Sequence, residues 1–171
     1  MKIDRTDYEH TSGNTGEKIV YDWLISRGNE VEDVTLNQSY QKTDVDFVVN
    51  NSYKIEVKVD QKIEQTGNVY VELGYSQEDW NHKGWIDYCG ADYLLKLSYT
   101  NTIANMYFFD FKKLLKLVNA NNNIRSRYDS KEMKTQLYSL LRLDDLKKNG
   151  IFVKKVTINR KAGVSNGNEA N

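Results

Sequence analysis

An alternating pattern on either side of Asn50-Asn51-Ser52 constrains the folding of this chain more than any other feature. Before these residues, Val45, Phe47 and Val49 alternate with Asp44, Asp46 and Val48. After them, Ile55, Val57 and Val59 alternate with Lys54, Glu56, Lys58 and Asp60. A period of two means a strand with one face on a core and one face carrying polar groups. The two apolar sets share a face only in alternate registers, and a slip by one residue would turn one strand inside out. The register that leaves a compact turn at Asn50-Asn51-Ser52 sets Asp46 opposite Glu56 and Asp44 opposite Lys58. A three-residue hairpin loop needs a left-handed residue, and Asn accepts that conformation best after Gly.

Two carboxylates and an ammonium therefore converge on one face. Mg²⁺ prefers hard oxygen ligands, usually one or two carboxylates with waters and substrate phosphate oxygens. Asp46 and Glu56 supply the carboxylates, and the main-chain carbonyl of Val57 is within reach as a further ligand. Lys58 is placed to orient an attacking water or to stabilise charge on a phosphorane. The alternative is a solvated sheet face with a cross-strand salt bridge.

An acid ending one strand and a Glu-x-Lys in the next, behind an N-terminal helix, resembles the PD-(D/E)xK nuclease superfamily, which includes phage nucleases and archaeal-type Holliday junction resolvases. By that resemblance Asp46 matches the motif aspartate, Glu56 the second acid and Lys58 the lysine. Val45 stands where the motif name places a proline, a departure many members tolerate. The motif is a small part of the chain, and the order of elements extends the likeness over residues 1–100. The resemblance implies an α/β fold, with a restriction-endonuclease-like core. That core has a mixed central β-sheet flanked by helices in α-β-β-β-α-β order, here with a C-terminal α+β extension. It also implies Mg²⁺-dependent hydrolysis of DNA phosphodiesters leaving a 5′-phosphate, with Mn²⁺ as a substitute metal. A non-catalytic nucleic-acid-binding or regulatory protein that keeps the fold is the alternative.

A helix is expected over residues 17–28, with Ile19, Val20, Trp23, Leu24 and Ile25 at helical spacing and Gly28 ending it. Glu17 shares the inward face with Val20 and Leu24. Many members of the superfamily place a helical Glu beside the metal. Glu17 alternatively closes a capping box with Asn14 as N-cap. Asp44 shares the face of Asp46 and competes with it as the motif acid. Glu72 is a further candidate acid or an edge-strand carboxylate, and Gln61 orients a phosphate or water or simply occupies a turn. In Trp80-Asn81-His82-Lys83-Gly84-Trp85 the tryptophans either stack on bases or fill a core, and Lys83 is a candidate phosphate contact.

Charge is balanced overall but unevenly spread, since residues 1–100 hold 10 Lys+Arg against 18 Asp+Glu and residues 101–171 hold 14 against 6. An acidic, metal-facing part beside a basic, nucleic-acid-facing part fits that split. Lys112, Lys113 and Lys116, and then Arg125, Arg127, Lys131 and Lys134, are the candidate phosphate contacts. Solvated helix faces are the alternative. The lone Cys89 makes no internal disulfide, which suits a reducing cytoplasm. No apolar run is long enough for a membrane span, and the N-terminus carries no signal-peptide pattern. One domain over residues 1–161 and a disordered tail over 162–171 are expected. Cleaving both strands of a duplex requires two sites, which points to a homodimer. Small size and near-neutral charge favour recognition of a structure or an end over a long sequence.

Elsewhere, strands are expected at 30–36, 68–73, 91–97, 103–109 and around Phe152–Ile158. Residues 77–89 form a helix or a turn-rich bridge. Asp110 caps a helix, residues 119–128 form a polar loop, and a helix spans 130–148 up to Gly150.

Overall fold

The structure, a computed structural model, describes residues 5–77, 80–120, 124–130 and 132–160. It starts with α1 (Arg5–Ser26), β1 (Val31–Asp33), α2 (Gln38–Gln41), β2 (Phe47–Val49) and β3 (Tyr53–Val59). There follow α3 (Ile63–Thr66), β4 (Asn68–Gln77), β5 (Trp80–Lys83) and a 3-10 turn at Trp85–Asp87. The chain continues with β6 (Tyr93–Tyr99), β7 (Ile103–Asp110) and α4 (Phe111–Ala120). It closes with β8 (Arg125–Asp129), β9 (Lys134–Arg142), α5 (Leu143–Lys148) and β10 (Phe152–Asn159).

The β2–β3 hairpin has the expected register, with Phe47 across from Ile55, Val48 from Lys54 and Val49 from Tyr53. Asn50 and Asn51 both take the left-handed conformation, with φ of 51° and 52°. This hairpin is the nucleus of a six-stranded sheet ordered β1-β2-β3-β6-β7-β10. Its β3–β6 pair is parallel and the other pairs are antiparallel, so the sheet is mixed. A second, antiparallel sheet runs β5-β4-β9-β8.

Both faces of the larger sheet are covered. On one, Phe47, Ile55, Val57, Leu95, Leu97 and Met106 pack against Ile19, Val20 and Leu24 of α1. On the other, Leu94, Tyr107 and Phe109 pack with Leu114 and Val118 of α4 and with Val69, Val71 and Leu141 of the second sheet. Five consecutive residues of β6 are buried, as expected of a central strand with a parallel neighbour. The face of Glu56 is thus lined by protein and is not the solvated face that alternation implies on its own. Close approach of α1 to the sheet depends on Gly16, where an added Cβ would stand 2.6 Å from Val59 Cγ2 and 3.2 Å from Leu97 Cδ2.

Several expectations are corrected. Helix α1 begins at Arg5, so Glu17 lies in its interior, and the Asn14 capping box, which needs a helix start at Asn14, does not form. The first strand shrinks to Val31–Asp33, and Asn37 caps α2 by accepting the Ser39 N–H at 3.0 Å. The described residues of segment 77–89 form the end of β4, β5 and the 3-10 turn rather than an α-helix, closer to the turn-rich alternative. Residues 125–129 are strand rather than loop, and among the described residues of the expected 130–148 helix only 143–148 are helical. The Leu, Lys and Gln of 134–142 favour a helix locally, but pairing of β9 with both β4 and β8 overrides that preference. Between β3 and β6, the four-residue α3, β4 and β5 stand where the resemblance calls for a second helix.

Other expectations agree. Strands β6, β7 and β10 fall close to the expected segments. Asp110 accepts the Lys113 N–H at 3.0 Å at the start of α4, and Gly150 has φ of 63° after α5. The expected tail at 162–171 and Lys131 lie outside the described residues. Among the described residues no helix is long and apolar enough to cross a membrane.

Candidate metal and phosphate site

The site forms just before β2 begins, where β3 continues past it. Asp46 sits one residue before β2, and three bonds fix it against its neighbours. Its N–H donates to Ile55 O at 3.0 Å, its C=O accepts from Val34 N–H at 3.0 Å, and its Oδ2 accepts from Val57 N–H at 2.8 Å. The N–H and C=O of a strand residue leave on the same side, so the Val57 carbonyl is directed toward the gap that holds Asp46. Burial raises the Asp46 carboxyl above its ordinary value, the Val57 N–H and Lys58 oppose this, and Asp44 adds to it.

Glu56 is 1% exposed. Its Oε1 forms an ion pair with Lys58, while its Oε2 is sealed from solvent with no hydrogen-bond partner. Burial pushes the Glu56 carboxyl up to about 10; Lys58 works against the rise, and Asp46 and Asp44 add to it. Lys58 Nζ also reaches Asp44 Oδ2 at 2.9 Å, in an ion pair without hydrogen-bond alignment. It stands over the Trp85 ring, 5.2 Å from the centroid. Burial disfavours its charge, but Glu56 and Asp44 outweigh that and hold the ammonium above its ordinary value.

Asp44 and Asp46 both belong to the cluster, in different places. Asp44, in a left-handed conformation with φ of 47°, serves Lys58, whereas Asp46 serves the Val57 main chain. Glu17 comes from α1 within electrostatic reach of the same group. Burial and then Asp46 push its carboxyl up to about 7, with Lys58 opposing and Asp33 and Asp44 contributing. Asp33, at the end of β1, was not singled out from the sequence. Neither was Lys96 of β6, although a lysine in the apolar run Leu94-Leu95-Lys96-Leu97 was a visible signal.

Among the described residues, no three His, Cys, Asp or Glu side chains stand together at metal-ligand spacing. The oxygen donors on offer are Asp46, Glu56 and the Val57 carbonyl. A set this small suits a hard cation that keeps waters and phosphate oxygens in its shell, and the unpartnered Glu56 Oε2 is a donor with no other occupation.

The remaining candidates fall outside this cluster. Gln61 is committed to the end of β6, accepting from Ser98 Oγ at 3.3 Å and Tyr99 N–H at 3.0 Å. Glu72 is not on an edge strand, since β4 lies between β5 and β9; its charge acts on both Lys96 and Lys134. Lys83 is exposed on β5. Arg125 is exposed and lies opposite Tyr138, and Arg127 donates to Gln136 Oε1 at 2.7 Å. Lys134 pairs with Glu132 and stands 4.7 Å over the Tyr75 ring. Arg125, Arg127 and Lys134 share a face of the second sheet with Tyr70 and Tyr138, whose rings are 5.2 Å apart, and with the stacked Tyr75 and His82 at 4.4 Å. Lys112 and Lys113 pair with Asp92 and Asp110 at the start of α4. Lys116 is exposed on the same helix. Trp85 is half-buried and packs on Phe111 at 6.0 Å. The Trp80 side chain lies outside what the structure describes.

Compared with known proteins, the chain matches no family model, no curated protein and no solved structure.

Proposed function

We propose that this protein is a divalent-metal-dependent nuclease of the PD-(D/E)xK type that hydrolyses phosphodiester bonds in DNA. The observation that carries the reading is the open end of the β2–β3 hairpin, where Asp46, Glu56, Lys58 and the Val57 main chain come together. A helix, three antiparallel strands and a further strand parallel to the third support the restriction-endonuclease-like core; the short α3 with β4 and β5 in place of a second helix is a departure from it.

Asp46, Glu56 and the Val57 carbonyl would hold Mg²⁺ or Mn²⁺, which supplies an acidified water and neutralises charge on the scissile phosphate. The chain's own residues do the rest. Lys58 moves from its carboxylate partners to the phosphate or the water and stabilises developing negative charge. Glu17, with its carboxyl near neutrality, takes or holds a proton beside Asp46. The Arg125, Arg127, Lys134 and tyrosine face of the second sheet offers cations for phosphates and rings for bases. Recognition of a structure or an end, homodimerisation for cutting both strands, and action in a reducing cytoplasm belong to the same proposal.

One observation favours a second reading. Lys58 already bridges Asp44 and Glu56, which suits a nucleic-acid-binding or regulatory protein that keeps this architecture without turnover. Purified protein incubated with plasmid, linear, single-stranded and branched DNA, in Mg²⁺, Mn²⁺ or EDTA, decides between them. Metal-dependent cleavage that is lost in Glu56→Ala and Lys58→Ala supports the nuclease. Salt-dependent binding with no cleavage on any substrate supports the second reading.

A further inference from the structure

The central sheet carries a buried cation that the chemistry above does not use. Lys96 of β6 is 4% exposed and lies beside Lys58 in the parallel β3–β6 register. Register neighbours share a face, so Lys96, Lys58 and Glu56 line one side of the sheet. The Trp85 ring stands against both lysines, 5.2 Å from Lys58 Nζ and 5.9 Å from Lys96 Nζ.

Lys58 is ion-paired with Asp44 and Glu56, whereas Asp60, Glu56 and Glu72 act on Lys96 only from beyond ion-pair distance. Among the described residues Lys96 makes no hydrogen bond and no ion pair. The side-chain atoms there that are sealed from solvent without a hydrogen bond are Asp44 Oδ2, Glu56 Oε2 and Ser139 Oγ. Lys96 Nζ is not among them, so the unbonded ammonium keeps an opening to solvent. An ammonium this dry with no ion-pair or hydrogen-bond partner is costly. Burial pulls it down to about 8, with Asp60, Glu56 and Glu72 opposing the fall and Lys58 adding to it. An apolar side chain would avoid the cost, as Leu94, Leu95 and Leu97 do at adjacent positions.

We propose that Lys96 is a second phosphate-pairing residue of the site, meeting a non-bridging oxygen of the bound phosphodiester beside Lys58. A phosphodiester has two such oxygens, one for each lysine, and the arriving anion compensates the buried charge. This inference rests on the nuclease reading, since it takes the same site and the same substrate.

The test compares the native protein with Lys96→Met and Lys96→Arg. Binding of a DNA oligonucleotide is measured in EDTA across a salt series, alongside thermal stability and cleavage in Mg²⁺. Lys96→Met is expected to bind roughly tenfold more weakly or worse. Its dependence of log affinity on log salt should be shallower by about 0.7 to 0.9, the value of one phosphate contact. Its melting temperature should equal or exceed the native one, because an uncompensated charge has gone. Lys96→Arg should keep the native salt slope. A Lys96→Met protein that binds with native affinity and slope overturns the proposal, and so does one that melts lower while binding normally. If the native protein cleaves DNA in either of those cases, only the role of Lys96 is lost. If the native protein neither binds nor cleaves any DNA, the nuclease reading and this inference fall together.

Discussion

Asp46 Oδ2 accepts the main-chain N–H of Val57 at 2.8 Å, just before β2 begins and where β3 runs on past it beside β6. A side chain thus occupies the place of a strand–strand hydrogen bond. Removing the acceptor orphans a part-buried donor, so Asp46→Ala should lose about 1–3 kcal/mol of stability. Asp46→Asn keeps an amide oxygen for Val57 and should fold with near-native stability, yet lose the charge needed for a cation. Urea unfolding of both variants, beside metal-dependent cleavage, checks this. Equal stability losses in the two would show that the Val57 bond is not what Asp46 contributes.

Glu56→Gln separates chemistry from packing. Burial raises the Glu56 carboxyl well above its ordinary value, and an amide is nearly isosteric with it. The substituted protein should melt within a few degrees of native while cleavage falls roughly a hundredfold or more. Cleavage that survives the substitution would remove Glu56 from the site.

Stability in EDTA should depend on pH through Glu17. Its carboxyl is raised from 4.5 to about 7, so between those values the folded state holds a proton that the unfolded chain releases. The contribution is fully present below about pH 4.5 and is lost as pH rises through about 7. Glu56 acts in the same direction over a wider range. Melting temperature should therefore fall between pH 5 and 8, and Glu17→Gln should flatten part of that fall. Superimposable profiles for the two proteins would place Glu17 outside the coupled group.

A cation must displace those protons, so Mg²⁺ should bind more tightly at pH 8 than at pH 5.5. Melting scans with Mg²⁺ should show the larger rise at pH 8, worth about 1.4 kcal/mol at ten times the dissociation constant. EDTA should reverse it. A rise of equal size at both pH values would point to a cation bound away from these carboxyls.

Gly16 sets how near α1, and with it Glu17, lies to the sheet. A Cβ at this position meets Val59 and Leu97, and a branched side chain adds more volume. Gly16→Val should destabilise by about 1–3 kcal/mol through overpacking and lower cleavage by moving Glu17. Native stability in this variant would mean that the helix can withdraw without cost.

The hairpin was legible because its signals are local. Alternation names the faces, a short turn sets the register, and Asn at both left-handed positions makes the turn feasible. Those facts brought Asp46, Glu56 and Lys58 together before any long-range contact was known. The stretch 134–142 was not legible in the same way, because its helix-favouring residues become a strand only when β4, some 65 residues earlier in the chain, pairs with it. Glu17 was singled out, but its setting was misjudged, since the start of α1 at Arg5 carries no cap signal near Asn14.

By itself the sequence determined which side chains share each strand face and where the first hairpin turns, because both follow from spacing along a few covalently linked residues. Only the tertiary structure decided that Glu56 is buried, that Lys96 stands beside Lys58, and that the carboxyls shift upward together. Those properties depend on the parallel pairing of β3 with β6, on the second sheet packed against the same face, and on Trp85 beside both lysines. Desolvation and charge–charge coupling arise from neighbours in space, and here the deciding neighbours are some 40 residues apart along the chain.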